Sequence, residues 1–193
     1  MISGKKVHLR AYREDDIKNV IAWVNDPAVT RYLHEMRPRS VVEERAWLER
    51  TMNNEDPGSF SLAIESSDGE YLGGVGLMNI DRRNGTAEVG IVIARPRDWG
   101  RGLGTEAMLL MVRYAFEELG LHRVQLRVYD FNDRGQKSYT KLGFVEEGRL
   151  REALFRHGSH HDVLIMGILA KEFFAKHGRT ADGRVADDFP VAR

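Results

Sequence analysis

The chain of 193 residues contains no cysteine, has no net charge and offers no long apolar run. Without cysteine there are no disulfide staples, no thiolate zinc site and no cysteine nucleophile. With 29 Lys and Arg against 29 Asp and Glu, no overall field draws the chain to nucleic acid or to an anionic membrane. No apolar stretch approaches the ~20 residues that span a bilayer. Met1–Lys6 lacks the apolar segment of a signal peptide, so a cytoplasmic protein is expected. Neither internal repeats nor low-complexity tracts are present. What remains is 42% apolar and 30% charged, the composition of an ordinary globular chain with one core.

Val7–Tyr12 alternates and reads as a strand. Ile17, Val20, Ile21 and Val24 then mark one face of a helix over Glu14–Val24, ended by Asn25-Asp26-Pro27. A second helix is expected over Val42–Met52, with Ser40 as N-cap and Glu43 completing a capping box. Three strands follow, Ser59–Glu65, Tyr71–Ile80 and Thr86–Ala94, joined by segments with hairpin-turn chemistry. A helix after Gly104 places Ala107, Leu110, Met111, Tyr114 and Ala115 on one face and stops at Gly120. His122–Tyr129 is a strand, and Asn132 or Asp133 caps a short helix ending at Gly143. Phe144–Ala153 and His161–Leu169 form a last pair of strands. The order describes one mixed α/β layer structure, a single domain over 1–177 with a loose tail over 178–193.

The segment Trp99–Thr105, containing Gly100, Arg101, Gly102, Leu103 and Gly104, lies between a strand and a helix. Glycines there let backbone N–H groups approach a ligand, and the helix start adds unpaired N–H groups and the positive end of its dipole. That is a cradle for a pyrophosphate, with Arg101 as an added cation. The spacing is neither G-x-G-x-x-G nor the P-loop pattern.

This segment, the strand Ala87–Ala94 before it and Asn132–Phe144 downstream together resemble the GNAT superfamily of acetyl-CoA-dependent N-acetyltransferases. The resemblance runs over about residues 5–173 and is nearest to the ribosomal-protein alanine and spermidine acetyltransferases. It implies a GNAT fold, a mixed and mostly antiparallel sheet flanked by about four helices. In the family motif [QR]-x-x-G-x-[GA], Gly102 and Gly104 match while Trp99 stands where Gln or Arg is usual. By the same resemblance Val92, Ile93 and Ala94 would pair their backbone with the pantetheine arm, as an added strand would. Asn132 would hold the far side of the cofactor or an ordered water.

Tyr139 matches the family's helix tyrosine, and a phenol with a pKa of about 10 can protonate a thiolate whose own value is about 8–9. Asn132 and Tyr139, seven residues apart, are expected on one helix face. Glu88 is the candidate base for the amine, and a solvated strand carboxylate is the alternative. Glu35 is a further candidate for substrate contact. The expected reaction is direct transfer through a tetrahedral intermediate to a primary amine, a peptide or protein N-terminus or a small molecule such as a polyamine or an antibiotic. A non-catalytic CoA-binding sensor or scaffold is the alternative class. A homodimer is compatible with either. His157, His160, His161 and Asp162 suggest a metal cluster at first sight. Adjacent strand residues point to opposite faces, so a polar turn is expected and no metal.

Overall fold

Local signals decide most of the elements in the computed structural model, which describes residues 1–34 and 37–179. The alternating segment forms β2 (Val7–Arg10), preceded by a two-residue β1 (Ile2–Ser3) too short to show any period. A 3-10 turn leads into α1 (Ile17–Val24). Pro27 then does more than end α1. Asp26 accepts the Ala28 N–H at 2.8 Å, and the proline opens a four-residue helix, α2 (Pro27–Thr30). In α3 (Val41–Met52) the capping box forms. Ser40 Oγ accepts the Glu43 N–H at 3.2 Å, and Glu43 Oε2 accepts the Ser40 N–H at 2.9 Å.

Next come β3 (Phe60–Ser66), β4 (Tyr71–Asp81) and β5 (Thr86–Ile93), then α4 (Leu103–Glu117), β6 (Arg123–Tyr129) and α5 (Asp133–Leu142). The chain ends in β7 (Val145–Arg156), β8 (Ser159–Leu169) and α6 (Ala170–His177). Helix α6 follows β8 without a break, so no turn residue announces it. The last hairpin is longer than its alternation suggests. Register shifts between Glu146 and Gly148 and between Leu150 and Leu154 interrupt the period while pairing continues to Arg156.

The eight strands form one sheet in the order β1-β2-β3-β4-β5-β6-β8-β7. Every pairing is antiparallel except β5 with β6. Strand alternation divides the core between the two faces. Leu62 and Ile64 join the main cluster under α4, while Ala63 joins Tyr12, Val20 and Leu48 beneath α1 and α3. Helix α4 does not keep to one apolar face, since the whole of Ala107–Val112 is buried. The sheet lies on one side of it, and Phe173 and Phe174 of α6 close on Phe116 from another. Tyr114 is only half-buried and stacks on Phe60 at 5.1 Å.

Candidate active site

The feature that makes the site is a split in the sheet. Parallel pairing of β5 with β6 covers only Thr86 with Arg123, Ala87 with Val124 and Glu88 with Gln125. Beyond Glu88 the two strands part. The Ala94 N–H donates to Leu72 O at 2.8 Å. By alternation the backbone groups of Ala94, Val92 and Gly90 then face β4, and those of Ile93, Ile91 and Val89 face the gap. The resemblance has the backbones of Val92, Ile93 and Ala94 all pairing with the pantetheine arm. Of those three, only Ile93 turns its backbone to the gap, because a strand can present only alternate residues to each side.

The gap opens into a cleft of about 650 Å³. Trp99, Gly100, Gly102, Leu103, Gly104 and Thr105 lie along its wall. The Trp99 indole N–H donates to Ile93 O at 2.9 Å, which ties the loop to the free edge of β5. Gly102 has φ +80° and stands at the start of α4 with no capping side chain, so the first N–H groups of the helix are left for a ligand. At Gly104 the reason for glycine is proximity, since a Cβ there would stand 3.2 Å from Ile93 Cγ1. Thr105 Oγ1 and Ser138 Oγ, 2.7 Å apart, join α4 to α5.

Arg101 departs from expectation. Its side chain is 64% exposed, bonds Asp98 at 3.1 Å and is not on the cleft wall. Arg127 of β6 lines the cleft beside Glu88, and the other lining Arg and Lys residues are Arg134, Lys137 and Lys141 of α5. The α5 spacing of three and four residues places those three on one helix face, a signal present in the Asn132–Phe144 segment but not singled out from it. The Arg134 guanidinium also lies 3.8 Å from the centre of the Trp99 ring.

Asn132 and Tyr139 both border the cleft, by different means. Asn132 is the N-cap of α5, outside the helix, and its Oδ1 accepts the Gly135 N–H at 3.0 Å. Both stand on the cleft side of α5, Asn132 at its cap and Tyr139 inside the helix. Tyr139 projects from within α5, and burial pushes its phenol up to about 12, opposed in part by the nearby Arg134 charge. Glu88 is the last residue of β5 that pairs with β6, and it lines the cleft with Oε2 3.5 Å from Arg127 Nε. Glu35 lies outside the described residues. His160 and His161 go to different partners: His161 Nδ1 stands 3.2 Å from Asp130, and His160 tilts over Phe155.

A family model described as an acetyltransferase (GNAT) domain matches residues 6–145. The chain belongs to the GNAT acetyltransferase family. It is 31% identical over 177 residues to the SPbeta prophage-derived uncharacterized N-acetyltransferase YokL of Bacillus subtilis, covering 91% of this chain and 97% of that one. Spermidine N(1)-acetyltransferase of Escherichia coli K12 is 30% identical over 177 residues, covering 92% and 93%. The structure of Vibrio cholerae spermidine N-acetyltransferase with CoA and spermine superimposes with a TM-score of 0.80 at 27% identity, over 87% of this chain and 98% of that one. This GNAT protein is therefore an acetyl-CoA-dependent N-acetyltransferase. Its cleft fits that co-substrate: a free strand edge suits the pantetheine amides, a glycine-lined helix start suits the pyrophosphate, and cations stand beside both.

Proposed function

We propose that this GNAT enzyme acetylates the α-amine of a peptide or protein N-terminus, with Glu88 receiving the amine and Tyr139 serving the leaving group. The observation that carries the residue roles is the position of Glu88 at the root of the split, where the free edge of β5 begins. Acetyl-CoA supplies the acetyl group on its thioester. N–H groups on the free edge, at Ile91 and Ile93, polarise the thioester carbonyl. Glu88 draws the ammonium in and takes its proton, directly or through a water, before nitrogen attacks. Tyr139, with its phenol near 12, does not release its proton completely to a thiolate of about 8–9. It donates a hydrogen bond to sulfur as negative charge gathers there. Arg134, Lys137 and Lys141 attract the phosphates.

The wall of the cleft supports this reading of the acceptor. Among its described residues the carboxylates are Glu88 and Asp98. Asp98 is held by Arg95 at 2.7 Å and by Arg101 at 3.1 Å, and Glu88 faces Arg127. Leu33, Met78, Leu150, Leu154 and Val163 supply apolar surface. One cationic centre beside apolar groups suits a peptide terminus. A small polyamine is the second reading, supported by the similarity to spermidine acetyltransferases. A panel of short peptides with free N-termini against spermidine and spermine tests the choice. Higher kcat/KM for peptides is expected, and preference for spermidine by about tenfold or more reverses the assignment.

A further inference from the structure

Arg156 is a buried charge for which acetyl transfer has no use. It is 4% exposed, and its Nε is buried with no hydrogen-bond partner among the described residues. Its Nη2 donates to two main-chain oxygens, Leu33 O at 2.6 Å and His34 O at 3.3 Å, and the guanidinium also hydrogen-bonds the Tyr129 side chain. Its guanidinium lies 5.9 Å from the centre of the Tyr129 ring. An apolar side chain of similar length would fill this space without desolvating a guanidinium or orphaning Nε. Stability alone therefore gives little reason for arginine here. Two charge-assisted bonds to consecutive carbonyls give a better one, because they fix the course of a loop.

That loop follows α2, and its Tyr32, Leu33 and His34 stand on the cleft wall with Leu150 and Leu154 of β7. Its start is fastened to the cofactor side. The Tyr32 ring is edge-on to Trp99 at 5.9 Å and lies 5.2 Å from the Arg134 guanidinium. Farther along, the Leu33 N–H donates to Thr30 O at 2.9 Å, and Arg156 holds the Leu33 and His34 carbonyls. The register shift in β7 makes this reach possible, with Leu154 and Arg156 turned inward and Phe155 left 64% exposed.

We propose that Arg156 is a positioning residue for the acceptor: by holding the Leu33 and His34 carbonyls it sets the width of the amine side of the cleft. This rests on the proposed function in taking Leu33 of the loop and Leu150 and Leu154 of β7 as acceptor wall, but not on which amine is accepted. The test is steady-state kinetics of Arg156→Met and Arg156→Lys with whichever amine the wild type turns over best. Arg156→Met should raise the amine KM about tenfold and leave the acetyl-CoA KM within about twofold. Arg156→Lys, which keeps the charge on a single donating nitrogen, should recover part of the loss. Amide hydrogen exchange in peptides spanning Tyr32–His34 should quicken in the methionine variant. A folded methionine variant with unchanged amine KM overturns the proposal, as does an equal rise in both KM values. Should the variants not fold, the wild type decides: saturating amine should slow exchange at Tyr32–His34 beyond the effect of CoA alone, and no added protection overturns the proposal. A preference for polyamines would displace the peptide reading and leave this test in place.

Discussion

At the scale of the residue, Tyr139 is the side chain that the proposed mechanism sets beside the leaving group. Burial keeps its phenol protonated, so it is a hydrogen-bond donor at any physiological pH and a poor proton source. Tyr139→Phe should lower kcat by about 10²-fold with little change in acetyl-CoA affinity, a split that stopped-flow and equilibrium CoA binding measure separately. The pH profile carries the sign. A phenol raised to about 12 loses its proton only near that pH, so wild-type kcat should hold to about pH 10. A falling limb at or below pH 10 that disappears in Tyr139→Phe would remove burial as the controlling influence. The identity of Tyr139 was legible in the sequence because its neighbours form a recognisable helix ending. Its protonation behaviour was not, since desolvation depends on what the fold places around it.

At the scale of the element, caps and glycines decide where helices begin. Ser40→Ala removes one half of the α3 capping box and should cost about 1 kcal/mol in chemical denaturation. Glu43 is held down at about 2 by the Ser40 N–H first and by Arg37 next. Its folded value lies below the ordinary one of 4.5, so its contribution is present above pH 4.5 and is lost as pH falls toward 2. In Ser40→Ala, whose backbone N–H remains, most of that pH dependence should persist. Gly102→Val forces a branched side chain to φ +80° at the start of α4, a strain of about 1–2 kcal/mol. Weaker CoA binding by calorimetry is the expected result, and unaltered binding would show that this backbone does not touch the cofactor. Elements with such signals were legible: α3 and α5 carry polar N-caps, and Gly143 ends α5 in the left-handed region. β1 and α2 span two and four residues, too few to display a period, and α6 follows β8 directly with no turn residue to mark its start.

At the scale of the molecule, equal numbers of acids and bases mean that attraction for an anionic co-substrate has to be local. The fold turns Arg101 outward and brings the cations of α5 to the cleft instead. Lys137→Ala with Lys141→Ala should raise the acetyl-CoA KM several-fold at low salt, and the difference from wild type should shrink as ionic strength shortens the screening length to about 8–10 Å. Arg101→Ala should do much less. A salt-independent KM in the wild type would show that these charges do not act on the co-substrate.

The sequence by itself determined the glycine-rich helix start and the family it points to, the helices with their own caps, the hairpins with their own turns and the absence of any thiol route. Each of these depends on groups a few residues apart, where spacing translates directly into geometry. Only the tertiary structure decided that β5 and β6 part after Glu88, that Ile93 faces the gap while Ala94 does not, and that Arg156 reaches a loop 123 residues away. Those outcomes rest on pairings between distant strands, and alternation within one strand cannot say which partner lies on which side, or where pairing stops.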